Sequence, residues 1–167
     1  MHPSHIERIW AHLSQQAQIL EGWAQSKTKC LRKGVGCSIV HISHNTVVQE
    51  IAREHNGPAG QYDTCKGKEH VGSCGCAHAE PRAILQAIKH GWITPAPRGA
   101  IVLLCAYSPC TNCANLVLDS KIIEGVVYVQ PTLHDLEPID RLSQAMPCLA
   151  LDADPAAIQA AVETWCS

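Results

Sequence analysis

The stretch CAHAEPRAIL, residues 76–85, sets His78 and Glu80 two positions apart. An imidazole binds metals or carries protons near neutral pH, and a carboxylate can act as a proton shuttle. Further along, SPCTNC holds Cys110 and Cys113 as a C-x-x-C behind Pro109. Residues three apart share a helix face, so both thiols can hold one metal from a single turn. The positive start of a helix also stabilises thiolates. Taken alone, a C-x-x-C is equally a redox dithiol or half of a structural zinc site. His78 offers a third ligand from a separate helix start. Three protein ligands leave one position of a tetrahedral zinc open, as catalytic chemistry needs. At its spacing from His78, Glu80 cannot readily share the same metal. It can instead face the open position.

The surrounding elements must bring these residues together. Residues 5–24 place Ile6, Ile9, Trp10, Leu13, Ala17 and Leu20 at helical spacing, with Ser4 as the expected N-cap. VGCSIVHI (35–42) and TVVQEIA (46–52) read as strands of a hairpin turned by SHN. Residues 53–77 read as a long loop with five glycines (57, 60, 67, 72 and 75). Loops of that length are usually functional or stapled by a metal. A helix is expected from about His78 to His90, with Pro81 in its first turn and Gly91 ending it. AIVLLCA (100–106) has no polar face and predicts a central strand covered on both sides. A helix at 110–120, a strand at 125–130, a helix at 135–145, a strand at 148–152 and a helix at 154–166 follow. Asp154 is the expected N-cap of the last helix and Pro155 its first residue. The order αββαβαβαβα predicts an antiparallel start and a parallel remainder.

The chain has 167 residues, 46% of them hydrophobic, which suits one globular domain over residues 1–167. With four Trp, three Tyr and no Phe, its core must be mainly aliphatic. The net charge of -2 implies no large basic face and argues against a polynucleotide partner. No signal peptide is visible and no apolar run reaches the length of a membrane span, so a cytoplasmic address is expected. Ten cysteines in that setting favour metal ligands and free buried thiols over disulfides.

H-A-E followed after about 30 residues by P-C-x-x-C resembles the zinc-deaminase signature. The chain thereby resembles the cytidine and deoxycytidylate deaminase superfamily, and within it the dCMP deaminase family. SKTKCLRKGVGCSIV (26–40), HNGPAGQYDTC (55–65) and residues 100–129 carry the same likeness, which spans roughly residues 26–130. The resemblance implies an α/β fold, with three α/β/α layers around a central five-stranded mixed sheet. It implies a catalytic Zn2+ held by His78, Cys110 and Cys113, with Glu80 moving protons. The implied reaction is hydrolytic deamination of a cytosine-type nucleotide, dCMP to dUMP in kind, with release of ammonia. A small pyrimidine nucleotide or nucleoside is the expected partner, and a homo-oligomer the expected assembly.

The family's Asn-Gly loop meets the substrate sugar, which points to Asn56; plain turn chemistry is the alternative. Its backbone contacts to the base point to Ala79 and Ser108. Several members hold a second, structural zinc. Here Cys30 and Cys65 match its ligands, and the rest would come from His70, Cys74 and Cys76, with Cys74 and His70 the favoured pair. A long Gly-rich loop with soft ligands needs such a staple, although free thiols in a small-residue loop are the alternative. Pro81 and Arg82 depart from the family pattern after H-A-E, and His55 replaces its aromatic residue before Asn56. Base, nucleoside and monophosphate all stay open as substrates. Arg53, Arg82 and Lys33 are basic residues that could meet a phosphate. Competing with the dCMP-type reading are another deaminase of the superfamily, acting on a free or modified base or on a polynucleotide, and a zinc-stapled binding domain without activity. Glu80 argues against the last, since a structural metal site has no use for that carboxylate.

Overall fold

The computed structural model describes residues 2–58, 65, 67, 74–92, 99–132 and 136–167. Its first element, α1 (Pro3–Lys27), buries Ile6, Ile9, Leu13, Ala17, Leu20 and Ala24 along one stripe. The helix starts earlier than its sequence suggests. His2, and not Ser4, is the N-cap, and its ring accepts from the Ser4 N–H. Pro3 then takes the first helical position, where a missing N–H costs nothing.

The expected hairpin forms from β1 (Gly36–Ile42) and β2 (Val48–His55), paired antiparallel. β2 runs three residues past the expected strand end, because His55 still pairs with Gly36. A register shift at Ile39/Val40 lets the longer strand keep its pairing. Just beyond, β3 (Gly57–Pro58) and β4 (Cys76–Ala77) make a two-stranded ribbon where the sequence predicts only loop. α2 (Ala79–Lys89), β5 (Ala100–Tyr107), α3 (Thr111–Ser120), β6 (Gly125–Gln130), α4 (Glu137–Ala145), β7 (Cys148–Ala150) and α5 (Pro155–Trp165) follow in the expected order. Asp154 caps α5 by accepting from the Ala156 N–H at 2.8 Å, with Pro155 first in the helix.

The main sheet has the order β2-β1-β5-β6-β7. β1 meets β5 antiparallel, while β5–β6 and β6–β7 are parallel. It is therefore the five-stranded mixed sheet of an α/β fold. Alternate residues of its strands feed two cores. Ile39, Ile101, Leu103 and Val126 pack under α2 and α3, while Val40, Val102, Leu104 and Val127 pack under α1 and α5. Two covered faces explain why β5 is apolar throughout. Trp165 of α5 lies close enough to β6 that a Cβ at Gly125 would come within 2.3 Å of its indole nitrogen. Among the described residues no helix is long and apolar enough to cross a membrane.

Candidate active site

α2 and α3 begin beside one another at the sheet's end, and both starts are unusual. His78 is the N-cap of α2 and Cys110 the N-cap of α3, yet neither side chain caps its own helix. Cap positions normally hold Ser, Thr, Asp or Asn, whose oxygens accept the first free N–H groups. Here the two side chains turn towards each other. His78 Nδ1 lies 3.5 Å from Cys110 Sγ and 3.3 Å from Cys113 Sγ. A tetrahedral zinc with bonds of about 2.0 Å to nitrogen and about 2.3 Å to sulfur spaces such atoms about 3.5 Å apart. The donor set thus fits zinc and leaves one position over.

Electrostatics point the same way. The Cys110 thiol is pushed down to about 3 by its hydrogen bonds with Cys113 and then His78. Cys113 is held up chiefly by sharing a proton with Cys110. The His78 imidazole is raised by its bond to Cys110. Three donors crowded around shared protons are a group that a cation can satisfy in their place.

Glu80, in the first turn of α2, is only 4% exposed, and among the described residues its Oε2 has no hydrogen-bond partner. Burial pushes its carboxyl above the usual range, against the opposing pull of its own backbone N–H and of His78. A buried oxygen left unpaired costs about 1–3 kcal/mol. It is the kind of group that can accept a proton from something entering the site.

His78, Glu80 and Cys110 border one cavity of about 330 Å³, with Asn56, Ala79 and Ser108 also on its wall. The sequence-predicted residues thus converge, with one qualification. The Asn56 amide is largely occupied: Oδ1 accepts from the Val35 N–H at 2.9 Å, and Nδ2 donates to the Lys33 carbonyl at 2.8 Å. Its backbone carbonyl also accepts from Thr28 Oγ1. Asn56 therefore ties the segment before β1 to the end of β2, and one N–H and one lone pair remain for a ligand.

The basic residues sort clearly. Arg53 pairs with Glu50 at 2.6 Å and Arg82 with Glu54 at 3.3 Å, and neither is on the cavity wall. Lys33 is on that wall, and so is Arg32, which the sequence reading did not single out. Its position two residues beyond Cys30, just before β1, was the available signal. Lys33 Nζ sits 3.7 Å from the centre of the Tyr107 ring and 3.6 Å from Glu21 of α1, and Tyr107 Oη donates to the same Glu21. Tyr107 and Thr132 also line the cavity and carry no signal in the sequence; Tyr107 ends the apolar strand β5, and Thr132 stands two residues beyond β6.

A second donor group stands alongside. Cys30, Cys65, Cys74 and Cys76 bring their sulfurs within 4.8 Å of one another. Cys30 and Cys65 are 3.9 Å apart, against about 3.8 Å for the edge of a tetrahedral zinc–thiolate site. Cys76, not included in the favoured set, completes this group, and His70 lies outside the described residues. β4 presents Cys76 two residues before His78, so the two donor groups are linked through one short strand.

The profile of the cytidine and deoxycytidylate deaminase zinc-binding region matches residues 12–130. No curated protein matches the chain. Among solved structures, the dCMP deaminase of cyanophage S-TIM5 is similar over 90% of this chain and 99% of its own, at 21% identity and a TM-score of 0.58. The same phage enzyme in complex with dCMP and dUMP matches at 20% identity, over 90% of this chain and 98% of its own, with a TM-score of 0.58. The Rib2 deaminase of Aspergillus oryzae, as a C-terminal deletion mutant, matches over 91% and 99% at 12% identity and a TM-score of 0.59. At these identities the structures speak for the fold, and the profile speaks for the family. The chain belongs to the cytidine and deoxycytidylate deaminase zinc-binding family, whose members are zinc-dependent hydrolytic deaminases.

Proposed function

We propose that this chain deaminates a cytosine-type nucleotide, converting an amino-bearing ring to its keto form with water and releasing ammonia, as dCMP gives dUMP. The observation that carries this is one cavity lined by Glu80, His78 and Cys110 together with Arg32 and Lys33. Zinc held by His78, Cys110 and Cys113 would supply Lewis acidity, lowering the pKa of water towards about 7. Glu80 takes one proton from the attacking water and passes it to the ring nitrogen, then takes the second from the new hydroxyl and passes it to the amine, which leaves as ammonia while the carbonyl forms. Ala79 and Ser108 orient the base through their backbone groups, and Asn56 uses its remaining valence on the sugar. Arg32 and Lys33 are suited to an anionic group on the sugar. The phage enzyme crystallised with dCMP and dUMP supports a nucleotide of this class.

A deoxycytidine-like nucleoside is the second reading, because Glu21 already neutralises part of the Lys33 charge. The four-cysteine group is proposed as a second, structural zinc site. Leu85 and Ile88 of α2 and Leu116 of α3 are exposed, which suits the expected homo-oligomer. Zinc stoichiometry together with ammonia release from dCMP, dCTP, deoxycytidine, cytosine and guanine tests these assignments. Turnover of dCMP well above deoxycytidine supports the first reading, and the reverse order the second. Zinc without turnover of any member would leave only a metal-stapled domain.

A further inference from the structure

Ser108 and Thr132 form a closed hydrogen-bonded ring at the cavity wall. The Thr132 N–H donates to Ser108 Oγ at 2.7 Å. Thr132 Oγ1 donates to the Ser108 carbonyl at 2.8 Å, and Ser108 Oγ donates to Thr132 Oγ1 at 3.1 Å. The Ser108 N–H is taken as well, donating to Gln130 at 2.8 Å. Every proton that Ser108 owns, and both of Thr132's, is therefore spent inside the protein. Lone pairs on the Ser108 hydroxyl and carbonyl are what remains. Ser108 is 3% exposed, so water has little access to reorganise the ring.

We infer that Thr132 is a specificity-determining positioning residue, which locks Ser108 as an acceptor-only surface that accepts an amino-bearing base and rejects its keto product. The inference rests on the deaminase reading, and it adds how substrate and product are told apart. An exocyclic amino group donates, and so pairs with such a surface. The keto oxygen that replaces it can only accept, and sets lone pair against lone pair. A site whose buried polar groups are all of one sense discriminates strongly between a donor and an acceptor at the same place. The same mismatch helps the product leave. β6 supplies Gln130 and the chain just beyond it supplies Thr132, so this discrimination is built from the strand next to the one that leads to Cys110.

The test compares Thr132→Val, which keeps shape and backbone N–H but removes the hydroxyl, with Thr132→Ser, which restores it. The readout is the ratio of the product inhibition constant for dUMP to KM for dCMP, with the kcat of each variant. Loss of the hydroxyl frees the Ser108 proton to meet a keto oxygen. The ratio should fall about tenfold in Thr132→Val and return in Thr132→Ser. A ratio unchanged in Thr132→Val, or equally lowered in Thr132→Ser, overturns the inference. Wild-type turnover scores the substrate reading separately. If dCMP is not turned over, the same ratio is read on whichever amino and keto pair of the panel is. If none is, calorimetric binding of cytosine and uracil nucleotides replaces it, and wild-type protein that holds the keto member as tightly as the amino member overturns the inference. Should Thr132→Val fail to fold, Ser108→Ala removes the same hydroxyl acceptor and must weaken the amino member more than the keto one.

Discussion

Glu80 is the residue on which the proposed chemistry turns. It is buried with one oxygen unpartnered, beside a donor set it does not join. Glu80→Gln keeps shape and burial and loses the ability to take a proton. It should retain zinc at the His78 group and lose about 10²–10⁴ in kcat; metal content by atomic absorption and ammonia release check the two halves together. Near-normal turnover would remove Glu80 from its role. Lys33 carries a different expectation. Its ammonium is held at the cavity by Tyr107 and Glu21. Lys33→Ala should raise KM for dCMP about tenfold while leaving deoxycytidine little changed, since one charge-assisted contact is worth about 1.5–3 kcal/mol. Equal effects on both substrates would place Lys33 in the scaffold alone. His78, Glu80, Cys110 and Cys113 were legible as residues because their types and spacing point to one chemistry. Arg32, Tyr107 and Thr132 were not, since single polar residues at strand ends have no period or partner in sequence.

At the scale of elements, two helix starts and one short ribbon set the site. The N-caps of α2 and α3 forgo their own caps, and the helix ends favour the thiolates gathered there. β3 and β4 escaped the sequence reading because two-residue strands carry no alternation. Their pairing brings Cys76 to the four-sulfur group. Cys76→Ser should remove the zinc proposed for that group, lowering zinc content by about one per chain, and reduce thermal stability, because a metal there would tie Cys76 of β4 to Cys30 and Cys65. Unchanged stoichiometry by atomic absorption would show that the ligand set lies elsewhere. The packing of α5 on β6 offers a test away from any metal. Gly125→Ala drives a methyl into Trp165. It should cost about 1–3 kcal/mol, or a Tm lower by about 2–4 °C per kcal/mol, as read by calorimetry.

At the scale of the whole molecule, the sheet separates two duties. One face, with α1 and α5, is an aliphatic core, and the other, with α2 and α3, ends in the site. α1 still reaches the site through Glu21, which pairs with Lys33 and accepts from Tyr107 at a sequence separation of 86. Removing zinc with a chelator should lower Tm as well as activity, since the starts of α2 and α3 carry the donors His78, Cys110 and Cys113 that the metal would hold together. Readdition of zinc should restore both. If Tm does not move, the donor groups contribute nothing to the fold.

The sequence by itself determined the order of the helices and of the main sheet's strands, the apolar centre of that sheet, and the four residues of the H-A-E and C-x-x-C motifs. These follow from local pattern and ligand chemistry, which need no knowledge of distant partners. Tertiary structure alone decided that Asn56 is mostly spent on Lys33 and Val35, that Arg53 and Arg82 are paired away from the cavity, and that Ser108 is closed into a ring by Thr132. Each of those outcomes depends on which donors and acceptors meet across the sheet. Hydrogen-bonding capacity is a property of a residue, but how it is used depends on its neighbours in space.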